Sequence, residues 1–437
     1  MRTQFTLDQL AQPQIAEANS ILRKCVHCGF CTATCPTYVE LGNELDSPRG
    51  RIYLIKDMLE AGRPADEETV LHIDRCLSCL SCWTTCPSGV DYGHLVDTAR
   101  QHIEKTYRRP LHDRLMRNML AWVLPYPGRF RLALTGARLA RPFAGLLAPL
   151  GGPFARLAAM LRLAPTGRPK SGPSPRPVPV AQRRGRVVIL RGCAQSVLDP
   201  GINAAAERLL ARNGVEVVAA PGEGCCGALP LHMGRDHEAR ALARATIDAW
   251  MELVDDGLDA VLVTASGCGT TIKDYGHLFA EDPAYAEKAK TISALALDIT
   301  EYLTRLELPP LEPSGTVVAY HSACSLTHGQ RVLLPPRALL AQAGFTVREV
   351  PEGHICCGSA GTYNILQPEI ALRLRDRKVR NIASVEPEII AAGNIGCISQ
   401  IASGTDIPIV HTVELLDWAY GGPMPAKLQG REMAAAG

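Results

Sequence analysis

The period of the apolar residues changes along the chain, and the change divides it. In residues 1–110 the period is helical. Leu7, Leu10, Ile15, Ile21 and Leu22 form a weak first pattern; Ile52, Leu54, Ile55, Met58 and Leu59 follow Ser47-Pro48 and stop at Gly62; a further helix is expected over 91–108. Residues 111–184 hold short helical fragments broken by Pro and Gly, and end in RPKSGPSPRPVPVAQRRG, which has the composition of a linker. From residue 185 the pattern becomes short β-branched strands, in VVILRGC, VEVVAA and DAVLVTASGC, alternating with Ala- and Leu-rich helices over 201–213 and 236–255. A final strand and helix around 291–305 close this unit. Such alternation predicts parallel sheets covered by helices. The expected fold is α/β overall: a mostly helical N-terminal domain followed by tandem α/β units.

Residues 311–430 run through the order of 185–310 a second time. VVAYHSAC, a helix over 331–343, FTVREV and EIIAAGNIGC match the first unit in turn, and PIVHTVELLDWA closes the second as TISALALDITEYL closes the first. The cysteines fall after strands, where the loops of parallel sheets build sites. Each repeat has a lone cysteine (Cys193; Cys324), an adjacent pair followed by glycine (Cys225-Cys226-Gly227; Cys356-Cys357-Gly358) and a Gly-Cys taken as the end of a strand (Cys268; Cys397). The lone cysteine and the pair are separated by 31 residues in both copies. Burial of free cysteine explains any one of these positions. It does not explain four of them occurring twice, which points to metal or redox chemistry. The glycine after each pair permits a backbone position that a side chain would obstruct.

Composition narrows the setting. The chain has 437 residues, 46% hydrophobic and 21% charged, with a formal net charge of +2, which gives no reason to invoke nucleic acid. It has no uninterrupted apolar stretch long enough to span a bilayer, and MRTQFTLDQLAQPQ lacks the pattern of a secretory signal. A cytoplasmic location is expected, at the inner face of the cell membrane if the connector touches lipid, and with it a reducing compartment in which cysteines bind metal. From Arg114 to Leu198 there is no Asp or Glu, while arginine recurs. Basic amphipathic helices of this kind lie in a membrane interface, or cover a partner or the second half of the same chain.

The most specific signal is at the N-terminus, where Cys25-x2-Cys28-x2-Cys31-x3-Cys35-Pro36 is repeated as Cys76-x2-Cys79-x2-Cys82-x3-Cys86-Pro87. This is the run of two-cluster bacterial ferredoxins, whose fourth cysteine crosses to the other cluster. On that wiring Cys25, Cys28, Cys31 and Cys86 hold one [4Fe-4S] cluster, and Cys76, Cys79, Cys82 and Cys35 the second. A structural zinc site or a disulfide framework has no use for two Cys-Pro endings. Arg49 and Arg51, between the runs, are candidates to hydrogen-bond the cluster loops or a partner surface, or simply to form solvated ion pairs. His321, His328, His354 and His232 lie near the C-terminal cysteines. His321 and His354 are candidates for iron ligation or proton transfer, against the plainer reading of polar loop residues.

The Cys-x31-Cys-Cys-Gly pattern resembles the cysteine-rich CCG domain of heterodisulfide reductases, lactate-utilisation proteins and the iron–sulfur subunits of glycerol-3-phosphate dehydrogenase. Paired ferredoxin runs flanking SPRGRIYLIKDML, a basic connector and two CCG repeats are together most similar to the iron–sulfur subunits of bacterial glycolate oxidase. The resemblance implies further clusters on Cys193, Cys225, Cys226 and Cys268 and on Cys324, Cys356, Cys357 and Cys397. The heterodisulfide reductase version adds a fifth thiolate, in a Cys-x2-Cys ending, and holds a noncubane cluster. Here Thr271 and Gln400 stand at those positions, which disfavours that cluster and leaves open one further cluster, two, or a repeat that keeps its cysteines without one. No flavin or nicotinamide motif is present: Gly222, Gly224 and Gly227 surround the cysteine pair and do not make G-x-G-x-x-G after a strand. Hydride chemistry therefore belongs to another polypeptide. The resemblance supplies an FAD-binding subunit that oxidises glycolate to glyoxylate, a second flavoprotein-like subunit, and a membrane quinone as acceptor. The alternatives are the same relay serving lactate or glycerol 3-phosphate, a heterodisulfide reductase-like enzyme, and a non-catalytic scaffold or cluster sensor.

Overall fold

The computed structural model describes residues 1–164 and 183–430; most of the Pro-rich linker lies outside them. The N-terminal part is helical, as its apolar period predicts. Ser47 accepts a hydrogen bond from the Gly50 amide, Pro48 takes the first helical position, and the helix Pro48–Ala61 stops at Gly62 with φ +60°. Its buried face, Ile52, Ile55, Met58 and Leu59, packs with Ile21, Leu22, Leu95 and Ile103 in one core with Cys25, Cys76 and Cys82. Inside the two cysteine runs the short helices Phe30–Ala33 and Ser81–Thr85 start at Gly29 and Leu80, both in the left-handed region. Pro36 ends the first run and opens a further helix, Pro36–Leu41.

Each C-terminal repeat is a four-stranded parallel sheet. The first contains β1 (Gly185–Ile189), β2 (Val215–Val218), β3 (Ala260–Val263) and β4 (Ala296–Asp298); the second contains β5 (Val317–His321), β6 (Thr346–Glu349), β7 (Ile389–Ala392) and β8 (Ile409–His411). The spatial orders are β2-β1-β3-β4 and β6-β5-β7-β8, so the duplication extends to topology. The closing helices even share a device: Asp298 with Glu301, and His411 with Glu414, form capping boxes at Ile299–Thr304 and Thr412–Ala419. One apolar core runs through both sheets and includes Val187, Leu209, Leu262, Val318, Ile390 and Leu416. Across it the carboxylate of Asp417, itself fully buried, accepts from Arg208 and Arg212. Cys268 and Cys397 do not end strands, as the apolar runs suggested. β3 and β7 stop at Val263 and Ala392, and these cysteines lie in the helices Ser266–Lys273 and Ile395–Ala402.

The connector forms the helices Leu111–Val123, Pro127–Ala140 and Gly152–Leu163, joined by shorter turns. Its arginines are not all solvated: Arg117 is buried and shares Asp74 and Asp113 with Arg109, and Arg156 reaches Asp113 at 2.6 Å. The Arg117–Asp74 and Arg109–Asp113 pairs tie the connector back to the N-terminal domain.

Candidate metal centres

Loops and short helices bring the cysteines together. Within the N-terminal domain one small cavity is lined by Cys25, Cys28, Cys31 and Cys86, and its neighbour by Cys35, Cys76, Cys79 and Cys82; Cys82 also reaches the first. Cys28 is exposed between Val26 and Phe30, both more than 60% exposed, while Cys76, Cys79 and Cys82 are buried. The two sets thus differ in depth.

Arg51 and Arg49 behave differently. Arg51 is buried and reaches Cys35 Sγ at 3.9 Å, held by its bonds to the His72 carbonyl and Thr37 Oγ1. Arg49 pairs with Glu44 at 2.7 Å on a partly exposed face and also lines the cavity of the first set, reaching the His27 carbonyl between Cys25 and Cys28. Arg100, which its position in a helical pattern did not single out, is also at the site. It donates to the Cys76 carbonyl at 2.7 Å and to Ser78 Oγ. Burial alone would push the Cys76 thiol up, but the Arg51 and Arg100 guanidiniums outweigh it and the net shift is down. Cys79 and Cys82 have burial and neighbouring thiols instead, and both are pushed well up.

In the first repeat the thiols form a continuous series of contacts, Cys193 to Cys225, Cys225 to Cys226, and Cys226 to Cys268. In the second, Cys324 Sγ lies 3.8 Å from Cys356 Sγ, and the series continues through Cys357 to Cys397. The adjacent pairs converge because Gly227 and Gly358 follow them at φ +85° and +86°. A Cβ there would sit 2.6 Å from the Ala239 carbonyl oxygen and 2.5 Å from that of Ala371, so the glycines are required for space as well as for conformation. Most of these thiols are held well above their ordinary pKa, by contact with one another and by burial. Thiols that are mostly buried and mostly raised have no reason to ionise unless a cationic centre draws off their protons. The donor sets therefore fit iron–sulfur clusters.

The residues at the missing fifth positions have other partners. Thr271 Oγ1 approaches the Gly267 carbonyl, and Gln400 donates to the Ala371 carbonyl at 3.2 Å and accepts from Asn364. His354 is exposed. His328 is buried, with Nδ1 at 2.7 Å from Thr84 Oγ1 of the N-terminal domain, and His232 faces Asp97 at 3.7 Å. His321 alone of these joins a cysteine set: one of its ring nitrogens and the Cys357 and Cys397 sulfurs lie within 4.8 Å of one another. Burial, with the nearby Lys378 ammonium, lowers the pKa of His321 to about 3, so the ring is neutral. Lys378 is itself buried, and its Nζ donates to the Glu352 carbonyl at 2.9 Å.

The sets are arranged in a row. Cys79 packs in one apolar cluster with Cys356 and Cys324, so the deeper N-terminal set adjoins the second repeat. All eight C-terminal cysteines then line a single cavity of about 330 Å³. Its remaining wall is the connector, through Leu120, Val123, Leu124, Phe130, Leu134 and Met160. One apolar side of the connector thus covers the second half of its own chain, one of the roles its composition allowed.

The 4Fe-4S dicluster domain matches residues 21–90, and the cysteine-rich CCG domain matches residues 187–273 and 318–402. The glycolate oxidase iron–sulfur subunit of Escherichia coli K12 is 42% identical over 420 residues, covering 96% of this chain and 99% of its own. The chain belongs to the glycolate oxidase iron–sulfur subunit family. A probable member from Bacillus subtilis is 32% identical and covers 92% of this chain and 94% of its own. Lactate utilization protein A of the same organism is 25% identical and matches 53% of this chain over 99% of its own length. The fold, at a TM-score of 0.53 and 10% identity, is also that of a hypothetical protein from Helicobacter pylori, over 98% of this chain and 76% of the other. The family and its two domain types make this an iron–sulfur protein with a dicluster domain and two CCG domains. No described helix is long and apolar enough to cross a membrane.

Proposed function

We propose that this chain is the electron-transfer subunit of a glycolate oxidase, passing electrons singly from an FAD-bearing partner subunit, with a second flavoprotein-like subunit beside it, to a membrane quinone. The observation that carries the reading is the row of cysteine sets: exposed N-terminal set, buried N-terminal set, second repeat, first repeat. Iron–sulfur clusters, when bound, each take and give one electron, which is the chemistry a two-electron flavin needs on its way to another carrier. Cys25, Cys28, Cys31 and Cys86 would hold the first and Cys35, Cys76, Cys79 and Cys82 the second, with one more on each four-cysteine set of the repeats.

The residues around the row suit its two ends. Cys28, with exposed Val26 and Phe30 beside it, offers an apolar rim on which a flavoprotein could seat. At the other end the cysteines of both repeats lie behind the apolar side of the connector, with Gln195, Asn364 and Asn394 among the few polar groups beside them. The outer side of the connector carries exposed Trp122, Leu132, Leu139, Phe143, Leu146 and Leu150 among exposed Arg114, Arg129 and Arg131. That combination favours an anionic lipid surface, which would bring a membrane quinone near the clusters of the repeats.

The test is anaerobic addition of glycolate to the chain purified together with its flavoprotein partners. Bleaching of the cluster absorption, with electron paramagnetic resonance signals appearing, is expected. A flavin that is reduced while the clusters stay oxidised overturns the relay. Bleaching by D-lactate or glycerol 3-phosphate but not by glycolate reassigns the substrate.

A further inference from the structure

The two repeats agree at every cysteine but differ three residues before the first one. Leu190 precedes Cys193, and His321 precedes Cys324. Both residues leave the end of the strand that begins the repeat and are 2% exposed. Leu190 packs among Cys193, Cys225 and Cys226 as an apolar wall. The equivalent side chain in the second repeat brings a nitrogen to within 4.8 Å of two thiol sulfurs. Its Nε2 is fully buried and has no hydrogen-bond partner among the described residues.

An orphaned nitrogen of this kind is disfavoured in a folded interior, where nearly all buried polar groups are paired. Among the described residues no other histidine comes this close to a cysteine set. We propose that His321 is an iron ligand of the second repeat, so that the second site is a mixed thiolate–imidazole centre and the first an all-thiolate one. The inference rests on the reading that the second repeat holds a cluster. A neutral imidazole gives its lone pair to iron through one ring nitrogen and keeps its proton on the other. It also adds a donor in a repeat whose other extra position is occupied by Gln400, already bonded to Ala371 and Asn364.

The experiment uses the full-length chain, reconstituted with iron and sulfide, in wild-type, His321→Leu and His321→Gln forms. The wild type is prepared with ¹⁴N- and with ¹⁵N-histidine, and pulsed electron paramagnetic resonance is recorded on the reduced clusters. Nitrogen hyperfine coupling that changes on ¹⁵N labelling is expected in the wild type and lost in both variants. If the variants lose iron from this site instead, the labelled coupling in the wild type together with that loss still supports ligation. A wild type fully loaded at the second repeat without such coupling, or coupling that survives in either variant, overturns the proposal. Iron content of a variant with Cys324→Ala, Cys356→Ala, Cys357→Ala and Cys397→Ala together tells whether the second repeat holds a cluster at all. Iron unchanged from wild type means that the second repeat binds no cluster, and then it is the underlying reading that fails.

Discussion

The two CCG repeats have one topology and one cysteine pattern, yet the residues behind the cysteines are not the same. Each has a Cys-Cys-Gly turn pressed against a helix carbonyl, at Ala239 in the first and Ala371 in the second. Seven residues further along those helices the first repeat has Thr246, whose hydroxyl accepts from the Gly224 amide, and the second has the buried cation Lys378. Before the first cysteine stand Leu190 and His321. The scaffold that converges the thiols is thus held in common, while the charge and donor chemistry around them has separated. A duplicated site that only needed to bind iron would not require this. Two sites of different potential would.

The largest effect should come from what the repeats share. Gly227→Ala and Gly358→Ala each force a side chain into a carbonyl oxygen at positive φ. Overpacking and backbone strain together cost about 2–6 kcal/mol. Each variant is expected to lose the cluster of its own repeat and to unfold at lower temperature, read by iron content and calorimetry. Equal losses in the two variants support a common scaffold; a silent variant would show that one turn carries no site.

A smaller effect should come from what they do not share. The Lys378 ammonium lies among the thiols of the second repeat, close enough to affect Cys356 and Cys357. A buried cation favours the more negative, reduced form of a cluster. Lys378→Thr, which copies Thr246, should therefore lower the potential of the second site alone. Unit charges several ångströms apart at an effective dielectric near 20 interact by about 2–3 kcal/mol, which is on the order of 100 mV for one electron. Spectroelectrochemical titration measures this. An unchanged second potential, or a shift shared by the other clusters, would remove Lys378 from the comparison.

Much of this organisation was legible in the sequence, and the reasons are local. Cysteine spacing reports which thiols can share a turn, strand period reports the parallel sheets, and the repeat shows itself by order alone. Contacts between distant segments leave no such trace. Nothing in the spacing places Cys79 against Cys356, or Arg100 on the Cys76 carbonyl, because these meet only when segments well separated in the chain pack together. The end of β3 was misplaced for a related reason. DAVLVTASGC reads as one apolar run, but the Ser266–Lys273 helix starts within it, and the Ser266 amide bonds the Gly393 carbonyl of the other repeat. The connector's inner face was one of two roles compatible with a basic amphipathic pattern, since the pattern does not say which apolar surface it meets.

The repeats also differ in how they grip the N-terminal domain, and here the expected effect is the smallest. The second repeat does so through Arg377 on Glu40 at 2.9 Å, Tyr363 on the Arg75 carbonyl at 3.1 Å and His328 beside Thr84 at 2.7 Å; burial holds the His328 pKa below its ordinary value, so none of these gains or loses charge as the pH rises from 6.5. The first does so through His94, stacked on His277 at 3.6 Å between ring centres and bonded to Asp274 at 3.0 Å and Asp91 at 3.1 Å. Burial lowers the pKa of His94, but the Asp274 and Asp91 carboxylates outweigh it and hold it up at about 10, against 6.5 for a free imidazole. The folded state thus binds this proton more tightly than the unfolded state. The resulting stabilisation is fully present below pH 6.5 and is lost as the pH rises towards 10. His94→Gln should flatten the melting temperature over that window, read by calorimetry from pH 6 to 10. Because the pair is partly exposed, raised salt should shrink the difference between variant and wild type. If the wild-type melting temperature is already flat between pH 6.5 and 10, the first repeat is not held by a titrating contact, and the two grips are alike.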